Sequence, residues 1–243
     1  MLFRSVARGR RPDVRACGVC HRAEGTGGPE NASLAGLPAA YIIQQMADFK
    51  SGARRFSGPR RSPVVLMNAV ARAVTPDEVA EAAAYFSSLR PKRLIDVVES
   101  DTVPTTTIAG VFYTVDGSGR SEPLGQRIIE VPRDVRRFEL RDTHARFRAW
   151  VPPGSLARGA SLVNTPRAGT DITCSRCHGA GLRGSAQAPS LAGRSPSYIM
   201  RQLYDFKHGA RRGSGRGPMS ANVEPFSTSD MLALAAYIAT LEP

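Results

Sequence analysis

The cysteines of this 243-residue chain and two of its four histidines fall in two matching clusters, Cys17-Gly18-Val19-Cys20-His21 and Cys174-Ser175-Arg176-Cys177-His178. Two thiols three residues apart share one face of a helical turn, where each can add to a haem vinyl group as a thioether. The next residue then aims an imidazole at the iron. The spacing is that of c-type haem attachment. It implies two covalently bound haem c groups, with Cys17, Cys20, Cys174 and Cys177 as anchors and His21 and His178 as proximal ligands. C-x-x-C also builds zinc sites and redox dithiols. A zinc ribbon gathers two such pairs round one metal, whereas these lie 157 residues apart, each with its own histidine. A dithiol has no use for that histidine. All four cysteines belong to the two motifs, which leaves none for a structural disulfide.

The elements that must hold these motifs are mainly helical. A short cue at Ser5 to Gly9 leads into the first motif, followed by a glycine-rich loop at Gly25 to Gly28. Helical spacing of Tyr41, Gln45, Asp48 and Phe49 predicts a helix from about Pro38 to Ser51, with proline at its first position and Gly52 as a left-handed cap. A polar loop over 53–63 precedes Val64 to Met67, and Thr75-Pro76-Asp77-Glu78 is a capping box opening a helix to about Leu89. Residues 91–154 read instead as short strands, among them Thr106 to Val115 and Gln126 to Val131, with alternation at Phe138 and Leu140 and again at Phe147 and Ala149. Asp116 to Gly119 marks a turn between two of them. From Ser155 the helical pattern returns.

Beyond Cys174 the chain repeats itself. Ser33-Leu34-Ala35-Gly36 recurs as Ser190-Leu191-Ala192-Gly193, and Tyr41, Gln45, Asp48, Phe49 and Lys50 as Tyr198, Gln202, Asp205, Phe206 and Lys207, all at the 157-residue offset of the motifs. After a five-residue deletion the offset becomes 152, matching Tyr85, Leu89 and Pro91 to Tyr237, Leu241 and Pro243. The repeat divides the chain into haem domains at 1–90 and 155–243 with a strand-rich connector at 91–154. It also points to the sixth iron ligands. Met67 and Met219 correspond, each in a loop eight residues before a helix N-cap, Thr75 or Ser227. A thioether there raises the potential and leaves no coordination site for a substrate. Of the competitors, Met46 and Met231 sit at core helical positions, Met200 corresponds to Ile43, His208 corresponds to Ser51, and His144 lies in the insert without a counterpart.

The order C-x-x-C-H, Ser-Leu-Ala-Gly turn, helix with Tyr, Gln, Phe and Gly-Ala-Arg, methionine, and Ala-Ala-Tyr helix, given twice, resembles the dihaem class I cytochromes c of cytochrome c₄ type over roughly 150 residues. The resemblance implies two tandem, mainly α class I cytochrome c domains with His21/Met67 and His178/Met219 as axial pairs. It further implies electron transfer between membrane-bound donors and terminal oxidases. The insert lies outside it. Pro189 matches the family's proline whose carbonyl orients the proximal histidine, where the first half has Ala32. Arg22 stands where Gly179 keeps the family's glycine.

The formal charge of +12 falls to about +8 with four ionised propionates, a field suited to acidic redox partner proteins or an anionic membrane surface. Scattered arginines without a recognition motif argue against nucleic acid. No apolar run spans a bilayer; the longest, Met231 to Leu241, reads as a core helix. Haem attachment of this kind implies export to a bacterial periplasm. The first 15 residues hold five arginines and no apolar signal segment, so an amino-terminal piece is expected to be missing. The reading is an electron carrier of a respiratory chain, not an enzyme. The rivals are a dihaem redox enzyme, peroxidase-like or thiosulfate-oxidising, and a fixed cytochrome subunit of a dehydrogenase or oxidase.

Overall fold

A computed structural model describes residues 3–58, 62–166, 172–186, 188–214 and 216–243. In chain order the first part holds α1 (Arg4–Ala7), a two-strand ladder of β1 (Gly9–Arg10) and β2 (Val14–Arg15), α2 (Cys17–His21), α3 (Ala39–Ser51), α4 (Ser62–Ala73) and α5 (Pro76–Ser88). The middle holds β3 (Ile95–Glu99), β4 (Thr102–Pro104), β5 (Thr106–Ala109), β6 (Phe112–Val115), β7 (Ser121–Pro123), β8 (Ile129–Pro132), α6 (Val135–Glu139) and β9 (Phe147–Val151). The last part holds α7 (Ser155–Asn164), α8 (Cys174–His178), a 3₁₀ turn at Ala180–Leu182, α9 (Pro196–Lys207), α10 (Arg216–Val223) and α11 (Thr228–Thr240). Two compact units result, Met1–Pro91 with Arg201–Phe226, and Lys92–Met200 with Ser227–Pro243.

In the first unit α3 and α5 enclose a small core of Val6, Leu37, Ile42, Ala82, Ala83 and Phe86, against which Cys17 packs. Pro38 is the N-cap of α3 and not its first helical residue; Gly52 closes the helix at φ 75°, ψ 11°, as the sequence predicts. The Thr75–Glu78 capping box of α5 forms in both directions. Its Glu78 also takes a 2.9 Å hydrogen bond from Arg10, so the cap ties the amino-terminal ladder to the helix. Met67 and Met219 lie in helices, α4 and α10, where the sequence predicts loops. Residues 66–73 are Leu, Met, Asn, Ala, Val, Ala, Arg and Ala, mostly good helix formers, and that propensity explains α4.

The second unit is built on α7 crossing α11. The crossing is close because residue 159 is glycine: a Cβ there would lie 2.1 Å from the Ala233 carbonyl oxygen. Asp230 completes the capping box of α11 from Ser227 and holds Arg158 of α7 at 2.8 Å. The insert folds into this unit. Its sheet runs β3-β9-β8, with β3 parallel to β9 and β9 antiparallel to β8. Val97 and Val151 from this sheet pack with Leu156 of α7 and Leu232 and Ala236 of α11. On β8, buried Glu130 accepts hydrogen bonds from the Ser195 hydroxyl and the Ser197 backbone N–H, placing a carboxylate at the amino end of α9. The run from Thr106 to Val115 forms a hairpin, β5 and β6, turning at Gly110. Phe138 belongs to α6, capped by Asp134, and Leu140 follows as its C-cap, so the alternation there is not a strand. Phe138 instead meets Phe112 and Phe147 edge-on.

No helix among the described residues is long and apolar enough to cross a membrane. Gly159→Ala should force α7 and α11 apart and destabilise the second unit by about 1–3 kcal/mol, as other overpacking substitutions do. Thermal unfolding of the haem-loaded protein measures this; an unchanged midpoint would show that the crossing is looser than described.

Candidate functional site

Each Cys-x-x-Cys-His motif forms one short helix, α2 or α8, so the two thiols of a pair are one turn apart on a common face. None of the four cysteines is in a disulfide. Cys17 is half-buried and Cys20 exposed; Cys174 and Cys177 repeat that arrangement. Burial pushes the Cys17 thiol up to about 11.

The histidines are oriented identically. Nδ1 of His21 donates to the Ala32 carbonyl at 2.8 Å, and Nδ1 of His178 to the Pro189 carbonyl at 2.7 Å. A proton held on Nδ1 leaves Nε2 as the bare nitrogen, the tautomer a metal needs, and fixes the ring plane. Burial lowers both imidazoles below their ordinary value, and for His21 the nearby Arg54 charge adds to the effect. Both groups therefore stay neutral. The proline absent from the first half is replaced by Ala32 without loss of this bond, because a backbone carbonyl serves from either residue.

The loops that carry these carbonyls repeat bond for bond. Gly27 N–H donates to the His21 carbonyl and Gly184 N–H to that of His178. Leu34 and Ala35 N–H both reach the Gly25 carbonyl, and Leu191 and Ala192 N–H both reach that of Leu182. Gly36 N–H binds the Phe86 carbonyl as Gly193 N–H binds that of Ile238. Immediately after each histidine the backbone turns through a conformation close to glycine-only: Gly179 has φ 75°, ψ 170°, and Arg22 has φ 62°, ψ 155°. The arginine bears a backbone cost of about 1–3 kcal/mol that the glycine avoids. It is also buried.

His21 is flanked by Phe86 at 6.4 Å, edge to face. Met67 and Met219 are both half-buried, on α4 and α10. Met67 shares the first unit with His21; Met219 lies in the first unit and His178 in the second. Among the alternatives, Met231 is fully buried core, Met200 packs beside Leu232 and Ala236, and His144 and His208 are exposed. Arg54 and Arg211, which correspond at the 157-residue offset, are buried. They face each other across an isolated antiparallel bridge, both donate to Gln45 and to Gln202, and each guanidinium covers a phenylalanine, Phe49 or Phe206. The sequence marks these two as repeated but contains no signal that they share ligands.

The donor set fits haem c: two cysteines one turn apart, an imidazole with Nε2 bare, and in the first unit an apolar core, including Phe86 and Leu37, against which Cys17 packs. Among the described residues no group of three or more His, Cys, Asp or Glu side chains converges as a zinc ribbon requires.

A family model described as cytochrome c matches residues 6–90 and again 156–242, and leaves the insert unmatched. The thiosulfate dehydrogenase electron acceptor of Stutzerimonas stutzeri is 27% identical over 236 residues, covering 96% of this chain and 82% of that protein. Cytochrome c4 of Azotobacter vinelandii is 26% identical over 228 residues, covering 91% and 82%. The solved thiosulfate dehydrogenase of Marichromatium purpuratum, in its as-isolated form, superposes with a TM-score of 0.65 at 26% identity over 98% of this chain, which spans 39% of that longer protein. With the family matched in both halves and an attachment motif in each, the chain belongs to the cytochrome c family as a dihaem electron-transfer protein of cytochrome c4 type, carrying two covalently bound haem c groups.

Proposed function

We propose that the chain is a periplasmic electron carrier of a respiratory chain, with no catalytic residue of its own. In this reading Cys17 and Cys20 hold one haem and Cys174 and Cys177 the other, within repeats 1–90 and 155–243, and the axial pairs are His21/Met67 and His178/Met219. Each haem supplies a ferric/ferrous couple. The protein holds the imidazole with Nε2 forward, keeps it neutral by burial, and surrounds the first site with apolar side chains. The observation that carries the reading is the pair of Nδ1 bonds, repeated at 2.8 and 2.7 Å, together with two half-buried methionines at matching positions. With His21 and Met67, or His178 and Met219, filling both positions, an iron held there would have no site left for a substrate.

The partners are acidic proteins. Residues 1–90 hold 13 basic against 7 acidic side chains and residues 155–243 hold 10 against 5, whereas the insert holds 10 against 9. The haem-bearing repeats thus carry the steering charge and the insert is nearly neutral. The likeness to a thiosulfate dehydrogenase electron acceptor over nearly the whole chain favours a dehydrogenase of an inorganic sulfur compound as the donor. The acceptor is a terminal oxidase.

In optical spectra, Met67→Ala and Met219→Ala should each remove about half of the methionine-to-iron charge-transfer band of the ferric protein and, after reduction, open one ferrous iron to carbon monoxide. Wild type should bind none. Carbon monoxide binding by wild type at one haem would replace the carrier by an enzyme. Gly27→Ala would set a Cβ 2.5 Å from the Ala32 carbonyl oxygen, displacing the acceptor of His21; the reduction potential of that haem should shift while that of the other holds. Unchanged potentials at both haems would remove the positioning role of that carbonyl. Electron exchange with an acidic partner should slow steeply as salt rises from low ionic strength. A salt-independent rate would mean that docking is not electrostatic.

A further inference from the structure

The backbone bridge between Arg54 and Arg211 has a second consequence on its outer face. In an extended pair, successive side chains point to opposite sides. Arg54 and Arg211 turn inward and are buried, so their neighbours Arg55 and Arg212 turn out and are exposed. Two reciprocal bonds, Arg55 N–H to the Ala210 carbonyl at 2.8 Å and Arg212 N–H to the Ala53 carbonyl at 2.7 Å, fix these two backbones side by side. Each guanidinium is also anchored at its root. Nε of Arg55 donates to the carbonyl of Gly52, the cap of α3, and Nε of Arg212 to that of Gly209, just beyond α9. Among the described residues neither guanidinium is paired with a carboxylate.

Between them lies a groove of about 360 Å³, walled by Arg55, Phe56, Ser57, Tyr204, His208 and Arg212 and by no acidic side chain. The groove departs from the symmetry of the repeat. His208 stacks on Tyr204 at 4.1 Å between ring centroids, while the corresponding residues of the first repeat are Ser51 and Ala47. One side of an otherwise paired arrangement has thus gained an aromatic wall and a third basic group.

We propose that this groove is an anion-binding site that takes a compact group with two or more negative oxygens, through the outward N–H donors of Arg55 and Arg212 and the ring of His208. Planar guanidiniums anchored at Nε retain their terminal nitrogens for two-point contacts to such a group. The ligand is a free inorganic oxyanion or the adjacent carboxylates of a docked protein; both present the same oxygens.

The test is proton NMR of the reduced, haem-loaded protein, with sodium sulfate replacing sodium chloride at constant ionic strength. The His208 ring resonance should shift saturably, while exposed His144, beside Asp142 in the insert, serves as the control and should not. Arg55→Gln with Arg212→Gln should weaken sulfate binding about tenfold or more, with an unchanged haem spectrum confirming the fold. A parallel titration with a hexaglutamate peptide distinguishes the sources: saturation by sulfate identifies a free oxyanion, and saturation by the peptide alone identifies protein carboxylates. A His208 response no different from that of His144 for both anions, or a double variant that titrates as wild type does, would overturn the proposal.

Discussion

Each candidate iron site is ordered around a single hydrogen bond, from a histidine Nδ1 to a carbonyl eleven residues further along the chain. The bond decides which nitrogen is bare, and its direction decides where that nitrogen points. Much of the surrounding structure keeps the carbonyl in place. The Gly27 or Gly184 N–H closes the loop back onto the histidine's own carbonyl, and two further N–H groups pin the loop exit onto residue 25 or 182. The terminal helix of each repeat then accepts Gly36 or Gly193 through a carbonyl of its last turns. Because the loop is held by backbone bonds, Ala32 can replace a proline at the acceptor.

The readable part of this arrangement is the part encoded locally. Cap residues at Thr75, Ser227 and Gly52 act within a turn of where they stand, and they form as the residues predict. The repeat offset locates equivalent loops because equal residues face equal neighbours. Non-local pairings were not legible. β3 meets β9 across the whole insert, and alternation alone cannot say which strands pair or with what helix they pack. Phe138 and Leu140 alternate with charged residues, yet the Asp134 cap and the aromatic contacts of Phe138 make the segment helical. The polar stretches that precede Met67 and Met219, 53–63 and 211–217, hid the two helices that carry them.

Burial of Arg54 and Arg211 is the least expected feature. Each is a charge removed from water, which is tolerable only with hydrogen bonds and opposite charge at hand. Gln45 and Gln202 supply shared acceptors, Phe49 and Phe206 supply aromatic faces, and the attraction of both arginines partly offsets the burial that raises the Asp205 carboxyl. The duplication makes the cluster economical, since one set of residue types at a 157-residue spacing meets itself. The insert is placed differently. It shares apolar contacts with α7 and α11 and sets Glu130 at the amino end of α9, so it is part of the second unit's packing and not a free linker.

The central claim is that two haem irons, each held by histidine and methionine, make this chain a carrier. A spectroelectrochemical titration of the protein matured with haem tests it most directly. The account predicts two reversible one-electron steps, both on the high side where methionine ligation puts a c-type haem. A single step accounting for one electron, or a step at the low potential of an iron without a thioether ligand, would contradict it.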